Sequence, residues 1–513
     1  IAERLERFAD LLKIKAESPF RVRAYRGAAE SVRHLNEPVA SLIQSGTLTD
    51  VPGIGSGIAA GLIELVETGT FDAYDELLDE IPATLLTLLD IPGVGPKTVG
   101  RLYRELGITD LVQLERSLEA GRVRELKGFG PRQEQRMLEG IAFVRGRTNR
   151  VSIGNALPEG EALVSAMVEA LHVPVSLAGS VRRMRETVGN IDVVVATPEI
   201  DTIAQCLSRI PGVAEIGRDG DVRARWLAAR LGDGTAVRIV ATEASAFGTE
   251  LIRWTGSARH VAALREHAGS DLPDAMDEKS VYAALGLDWV PPELREGRDE
   301  ITLAATHRLP RLPMTRDLTG DLHLHSVWSD GHASIHDLAM AARDRGYRYL
   351  AIADHSASLR IANGLDVERL RRQREEIDRA NADVPEIRLL QASEVEVHLD
   401  GTLDFPDSVL AELDVVVASL HLGSRQSPAD RTARLLRVLE NPHVDIIAHP
   451  TGRIIDRRPP VPCDWERVFA AAATTGTALE INANPARLDL PDDLVRQAAS
   501  EGVRFTIDSD AHD

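Results

Sequence analysis

The sequence predicts a multidomain chain in three parts: helical hairpin domains at the front, an α+β region in the middle and a distorted βα barrel at the end. Three observations predict it. A Gly-x-Gly turn recurs before helix-patterned segments between Val51 and Arg132. Strand-like runs flanked by helix-like segments begin near Val151. In the last third, short apolar runs end in histidines and carboxylates, the pattern of barrel strands that deliver side chains to one mouth. With 513 residues, 43% hydrophobic and 27% charged, the chain is long enough for several buried cores. Cys206 and Cys463 belong to no disulfide or metal motif, which fits a reducing cytoplasm. No apolar run approaches a membrane span and no signal peptide is visible. The first residue is Ile, so the natural start is expected to lie upstream.

The first turn, Val51-Pro52-Gly53-Ile54-Gly55, recurs as Ile91-Pro92-Gly93-Val94-Gly95-Pro96-Lys97. Leu126-Lys127-Gly128-Phe129-Gly130-Pro131-Arg132 is a looser copy. Each leads into a helical pattern, such as Ile58 to Leu65, so free backbone N–H groups gather at a helix N-terminus and can hold a phosphate. These segments resemble helix-hairpin-helix motifs, which grip a DNA backbone without reading sequence. The candidate contacts are Gly53, Gly55, Gly93, Gly95, Lys97, Gly128, Gly130 and Arg132. Leu5–Leu12, Ala28–Ile43 and Leu85–Leu89 carry apolar residues at helix-compatible spacing. A net charge of −20 opposes nucleic-acid binding. Against it, Arg21, Arg23 and Arg26 cluster early, and Arg122, Arg124, Lys127, Arg132, Arg136, Arg145, Arg147 and Arg150 form a basic stretch. The expectation is non-specific, salt-sensitive binding to DNA.

In the middle, Val173–Ala178, Ile191–Ala196 and Ala236–Val240 read as strands. Leu177-Ala178-Gly179-Ser180-Val181-Arg182-Arg183 precedes Gly189-Asn190-Ile191-Asp192. Gly-Ser with adjacent arginines can bind a triphosphate, and an acid on the next strand can hold Mg. Leu309-Pro310-Arg311-Leu312-Pro313 reads as a linker. Beyond it come Asp321-Leu322-His323-Leu324-His325, Asp330, Asp354-His355, Glu394, His421, His449 and Asp510-Ala511-His512. These motifs hold six of the fifteen histidines. Tyr349–Ala353, Val415–Leu420 and Val444–Ala448 are the apolar runs before three of them. His323 and His325, two apart, point to one side of a strand. Imidazole with carboxylate suits Zn, Mn or Fe better than Ca or Mg. The set exceeds the four ligands of a structural zinc, so two or three ions are expected.

These pieces, with Ser329-Asp330-Gly331, Ser393-Glu394-Val395, Ala418-Ser419-Leu420-His421, Ala448-His449-Pro450-Thr451-Gly452-Arg453 and Asp508-Ser509-Asp510-Ala511-His512, resemble the PHP (polymerase and histidinol phosphatase) domain. The resemblance implies a distorted βα barrel with a trinuclear Mn or Zn site. Its ligands would be His323, His325, Asp330, His355, Glu394, His421, His449, Asp510 and His512, with Glu394 bridging ions and catalytic. The family continues past the position of Asp513, so the barrel is expected to be incomplete at its C-terminus.

The middle resembles the nucleotidyltransferase palm of family X DNA polymerases. Trp254-Thr255-Gly256-Ser257, Tyr282–Leu287 and Pro291–Arg295 match later parts of that core. The order of parts resembles bacterial PHP-containing family X polymerases over almost the whole chain. It implies an N-terminal DNA-end-binding domain over 1–85, a fingers-like hairpin domain over 86–150, a palm over 151–242, a thumb-like domain over 243–308, a linker over 309–320 and the PHP barrel over 321–513. Nucleotide would contact Ser180, Arg183, Gly189 and Gly256, with Asp192 as metal ligand for Mg or Mn and catalytic acid. Arg21, Tyr25 and Arg26 would meet a DNA end.

The chain departs from the family pattern in the palm. Two of the three metal-binding aspartates fall at Asn190 and Ala236; only Asp192 remains. Glu243 and Glu186 are the nearby acids that could substitute. Val261 replaces a base-contacting Asn. The lyase lysine falls at Gly61, which cannot form an imine, and its phosphate-binding neighbour falls at Gly57. Three readings follow: a metal-dependent phosphoesterase, specifically a DNA 3′–5′ exonuclease on a repair-polymerase scaffold with a degenerate palm; a gap-filling polymerase using deoxynucleoside triphosphates, with Mn; and a DNA-end scaffold with both sites vestigial. The complete barrel set argues against the last, and Asn190 with Ala236 against the second.

Overall fold

The structure, a computed structural model, describes every residue except 34, 36–37, 69, 147–149, 218–225 and 424–425, and the side chains of 3, 67, 79, 143, 145 and 146. Arg147 and the side chain of Arg145, assigned to the basic stretch, therefore lie outside the described residues. The chain forms two compact units, Ile1–Thr148 and Asn149–Asp513.

The described part of the first unit is built from helices. Ala2–Lys15 buries Leu5, Phe8, Leu11 and Leu12. Phe8 meets Tyr25 and Phe71 edge-on, with ring centroids 4.6 and 5.0 Å apart, a geometry that aligns ring edges with π faces. Pro96–Leu106 crosses the first helix at Gly100, where a Cβ would collide with the Ile14 carbonyl. Arg104 Nη1 caps that carbonyl at 2.8 Å. The helix expected over Ala28–Ile43 is broken. Pro19–Arg33 and Val39–Ser45 are separate helices, and Pro38 is the N-cap of the second. Proline lacks the N–H that a helix interior needs and is tolerated at a helix start, so a new helix begins at Pro38. Leu85–Leu89 lies in a 3-10 segment, Ala83–Asp90, that begins after Pro82.

In the second unit a five-stranded mixed sheet comes first. Its strands are β1 (Val175–Ala178), β2 (Ile191–Val195), β3 (Val213–Gly217), β4 (Trp226–Leu231) and β5 (Ala236–Ala241). Their spatial order is β1-β2-β5-β4-β3, and only β2 and β5 are parallel. β2 is Ile-Asp-Val-Val-Val, wholly buried, as a central strand covered on both faces requires. The segment after it packs on Ile252, Leu264, Val281 and Tyr282. Arg295, fully buried, donates to both oxygens of Glu278 at 2.6 and 3.0 Å. Arg182 donates to the same oxygens at 2.6 and 2.9 Å. This network ties the Gly-Ser turn to the later helices.

The final sheet contains seven parallel strands: β6 (Gly320–Leu324), β7 (Tyr349–Ile352), β8 (Arg388–Glu396), β9 (Val415–Ser419), β10 (Ile446–Ile447), β11 (Ala478–Asn482) and β12 (Phe505–Asp508). Neighbours follow chain order throughout. The ring is nearly closed, because Leu324 bridges Ala511 and Asp510 N donates to His323 O at 2.9 Å. The last residues thus join the first strand. Helices such as Ile335–Asp344, Val367–Asp383 and Pro428–Leu439 connect the strands and bury their apolar faces on them. The earlier sheet region meets the barrel through Arg453–Glu186 at 2.6 Å and Arg185–Asp492 at 2.9 Å.

Burial pushes the Glu278 carboxyl up, but the guanidinium groups of Arg295 and Arg182 outweigh it and hold it at about 2. Its folded pKa lies below its unfolded one, so its stabilisation is complete above the ordinary carboxylate range and is lost as pH falls toward 2. Glu278→Gln should destabilise the protein by about 3–5 kcal/mol, because Arg295 is left buried without a countercharge. It should also flatten the acid limb of the melting temperature against pH.

Candidate functional site

The parallel strands of the barrel end on one side, and the predicted ligands follow those ends. His323 and Glu394 sit on β6 and β8; His325, His355, His421, His449 and Asp510 follow β6, β7, β9, β10 and β12. His449 and Asp510 adopt left-handed backbone conformations, with φ of 26° and 52°. Such conformations persist only where the surroundings hold them. Among the described residues, three groups of side chains have ligand atoms within 4.8 Å of one another: His325, Asp330, His355 and His512; His323, His325 and Asp510; and His355, Glu394 and His421. His449 joins through Nε2, which lies 3.0 Å from Glu394 Oε1. All nine candidates are therefore brought together.

Glu394 is the hub. Its Oε1 faces His449 Nε2 and, at 3.3 Å, His421 Nε2. Its Oε2 faces His355 Nδ1 at 2.7 Å, His323 Nε2 at 3.5 Å and His325 Nε2 at 3.7 Å. His323 Nε2, His325 Nδ1 and Glu394 Oε2 are buried, and none makes a hydrogen bond. Buried polar atoms are rarely left so, and orphaned imidazole and carboxylate atoms that converge are able to hold metal ions. Burial pulls the His355 proton affinity down, but Glu394 and Asp330 outweigh it and raise the pKa to about 10. At His323 burial is likewise overcome by Glu480, Glu394 and Asp510, and the pKa rises well above the usual histidine value.

Residues not singled out in the sequence orient these ligands. Glu480 on β11 accepts from His323 Nδ1 at 2.6 Å, and Glu396 accepts from His421 Nδ1 at 3.0 Å. Carboxylates behind ligating histidines fix the ring and its tautomer. Asp354, beside His355, instead accepts from Ser326 Oγ and Gln373 Nε2, both at 2.6 Å, and is structural.

A small cleft beside the cluster is lined by His421, His449, Arg431, Arg458 and Arg487. The Nε atoms of Arg431 and Arg458 and Nη1 of Arg487 are buried and make no hydrogen bond. Burial, and then the neighbouring Arg434, push Arg431 down to about 10. Converging, underpaired guanidinium groups make a cradle for an anion. One signal in the sequence was available: Arg431 and Arg434 lie three apart on the buried face of an amphipathic helix, a place charged residues seldom occupy without a partner.

A second pocket, of about 550 Å³, is lined by Gly179, Ser180, Arg183, Asp192, Arg238, Arg253, Trp254, Gly256 and their neighbours. Gly189 is not among the lining residues. Arg183 also serves the fold, donating to Glu296 Oε1 at 2.8 Å and Thr255 O at 2.6 Å. Asp192 Oδ1 accepts from Arg238 Nε at 2.7 Å and Asn190 Nδ2 at 2.6 Å. Its Oδ2 abuts Gly179, where a Cβ would collide with it. Ala236 carries no carboxylate. Glu186 is held by Arg453, and Glu243 is not among the lining residues. This donor set does not fit a two-ion site.

In the first unit, the Gly-x-Gly copies share one turn. The middle residues Ile54, Val94 and Phe129 are buried, and their N–H groups bond to Val51, Ile91 and Leu126 O at 3.1, 2.9 and 3.0 Å. Gly53, Gly93 and Gly128 have φ of 84°, 80° and 87°, a region that favours glycine. Ser56–Thr68, Pro96–Leu106 and Pro131–Gly146 are the helices that follow. Gly55, Gly95 and Gly130 face open space; Lys97 and Arg132 are exposed beside them. Arg21 and Arg26 are exposed, but Arg26 pairs with Asp10 at 2.6 Å, and the Tyr25 ring packs in the aromatic core. Among the described residues no helix is long and apolar enough to cross a membrane.

Residues 1–71 match a helix-hairpin-helix domain, and 45–107 and 85–142 match a SAM-like helix-hairpin-helix tandem. The DNA polymerase/3′-5′ exonuclease PolX of Bacillus subtilis is 36% identical over 527 residues, 99% of this chain and 91% of that protein. A protein of Syntrophotalea carbinolica named a probable phosphatase is 33% identical over 172 residues, 32% of this chain and 64% of that protein. One of Thermoanaerobacter sp. (strain X514) with the same designation is 30% identical over 205 residues, 37% of this chain and 78% of that protein. A nearly closed parallel barrel with histidine–carboxylate clusters, similar to phosphatases, defines a metal-dependent phosphoesterase of the PHP type. The chain belongs to the PolX family, the bacterial family X DNA polymerases that carry such a barrel.

DNA binding by the hairpins is expected to rest on close backbone approach. Gly95→Leu places a side chain in open space, so the fold should persist while affinity for duplexes of any sequence falls about tenfold or more. Fluorescence anisotropy at rising salt checks this, and binding by the unchanged chain should weaken steeply with salt.

Proposed function

We propose that the protein is a DNA-repair enzyme whose chemistry resides in the barrel: metal-dependent hydrolysis of DNA phosphodiesters from the 3′ end. The observation that carries the reading is Glu394, whose two oxygens face separate histidine sets, as a carboxylate bridging two ions does. The nine convergent residues are the proposed ligands, with Mn or Zn as the ions because the donors mix imidazole and carboxylate. Bound there, two or three ions supply the charge and the activated water that phosphodiester hydrolysis requires.

The protein's own groups do the rest. Glu480 and Glu396 orient His323 and His421. The cleft of Arg431, Arg458 and Arg487 receives a phosphate of the nucleotide being released. The hairpins hold the DNA backbone and leave sequence unread, as removal of any terminal nucleotide requires. Free Cys206 and Cys463 accord with work in the cytoplasm.

The palm is proposed to be inert in synthesis, since Arg238 and Asn190 occupy Asp192. Gap filling with Mn is the reading this pairing opposes.

After dialysis the protein should retain more than one transition-metal ion per chain by elemental analysis. His323→Ala and Glu394→Ala should each lower nucleotide release from end-labelled DNA at least about 100-fold. Circular dichroism should stay native and DNA affinity should hold. Arg487→Ala should lower kcat/KM about tenfold or more, with metal content unchanged. Activity that persists in a folded, metal-depleted Glu394→Ala protein would place the site elsewhere.

Primer extension in Mg should be absent or weak. Asn190→Asp with Ala236→Asp should restore little, and adding Arg238→Ala should raise extension further, because only then is Asp192 released.

A further inference from the structure

We infer that exposed apolar side chains around the barrel mouth form a rim that takes the terminal base of a DNA strand out of its stack, with Ile361 as the wedge. The inference rests on the reading that the barrel hydrolyses DNA from the 3′ end, and it names what holds the base there. Large apolar side chains stand exposed after the ends of four consecutive strands: Val327 after β6, Ile361 after β7, Leu399 after β8 and Leu422 after β9. Ile361 is 95% exposed; Val327, Leu399 and Leu422 are 50%, 57% and 42% exposed. Single exposed apolar residues are ordinary, but a set gathered round one mouth marks a contact surface. The loops that carry them are joined. Asn363 Nδ2 donates to Trp328 O at 3.2 Å, Ser358 N to Asp404 Oδ2 at 2.7 Å and Gln426 Nε2 to Leu399 O at 3.0 Å.

The loop of Ile361 is fixed at both ends to the ligand cluster. Ser356 N donates to Glu394 O at 3.0 Å, and Leu365 N donates to His355 O at 2.7 Å. Asn363, with φ of 55°, turns the chain back, and Arg369 Nη1 holds its carbonyl at 2.7 Å. Gly364 passes so close to Ser356 O that a Cβ would collide with it. A loop pinned in this way keeps Ile361 outward. Arg360, exposed beside it, makes no ion pair among the described residues. The far side of the mouth identifies the occupant. Arg431, Arg458 and Arg487 belong to the helix after β9 and to the segments after β10 and β11. The mouth is thus apolar along β6 to β9 and cationic toward β10 and β11. A nucleotide has the same division, with a flat base on one side of its sugar and a phosphate on the other. Aliphatic side chains that enter a base step unstack it and hold it open.

A duplex with 2-aminopurine as its 3′-terminal base tests this with the full chain in a chelator, which withholds the ions that cleavage needs. Stacking quenches that base, so its fluorescence should rise when the protein saturates the DNA, with anisotropy confirming saturation. Ile361→Ser should remove most of the rise, and Ile361→Leu should keep it. With Mn restored, nucleotide release from the duplex relative to a single strand of the same sequence should fall about tenfold in Ile361→Ser, because unstacking is no longer assisted. Circular dichroism confirms that each variant folds. No rise in the unchanged protein, or a rise and a release ratio indifferent to Ile361→Ser, overturns the inference. So does loss of self-association in Ile361→Ser with both DNA signals untouched, which would make the rim a contact between copies of the chain. Absent release from either DNA by the unchanged, Mn-loaded chain refutes the nuclease reading itself, whereas full release with fluorescence indifferent to Ile361→Ser refutes only the rim.

Discussion

Glu394 is a fully buried carboxylate with histidines on both of its oxygens, and the architecture of the barrel mouth follows from it. Burying one charge costs several kcal/mol unless opposite charge accompanies it. The chain surrounds Glu394 with His323, His355, His421 and His449 and then buries further carboxylates, Glu480 and Glu396, behind two of those rings. Such a nest of donors is expensive to fold and makes chemical sense when cations complete it. The left-handed backbone at His449 and Asp510 belongs to the same constraint. Each ligand must turn inward immediately after its strand ends.

Charge is disposed in opposite ways in the two pockets. At the barrel mouth, acids and imidazoles gather beside Arg431, Arg458 and Arg487, and Arg487 Nε reaches Asp510 Oδ2 at 3.4 Å. In the palm a guanidinium lies directly on the surviving acid. A carboxylate neutralised by a fixed protein cation has little left to offer a mobile one. The same residue type borders the ligand cluster in one place and covers an acid in the other.

The segment that follows the five-stranded sheet shows how tightly the Gly-Ser turn is fixed. Arg182, adjacent in sequence to a pocket residue, is spent on Glu278 together with Arg295. Of two consecutive arginines that look equivalent in sequence, both serve the fold, and Arg183 also lines the pocket.

The sequence by itself determined the candidate ligands and the hairpin turns, because both are read from short local motifs. A side chain that follows the end of a parallel strand lies at the barrel mouth, so His355, His421 and His449 could be picked out from an apolar run and the residue that follows it. A Gly-x-Gly turn before a helix is likewise a matter of backbone freedom at Gly53, Gly93 and Gly128. The break at Pro38 was legible in principle, but apolar spacing alone ran a helix across it. Only the tertiary structure decided which groups pair at long range. Arg238 meets Asp192 through the register of β2 against β5. Glu480 reaches His323 from 157 residues away. Arg431, Arg458 and Arg487 converge from a helix and two loops. Spacing along the chain holds no record of such encounters, because they are set by how strands align and helices pack after the local elements have formed.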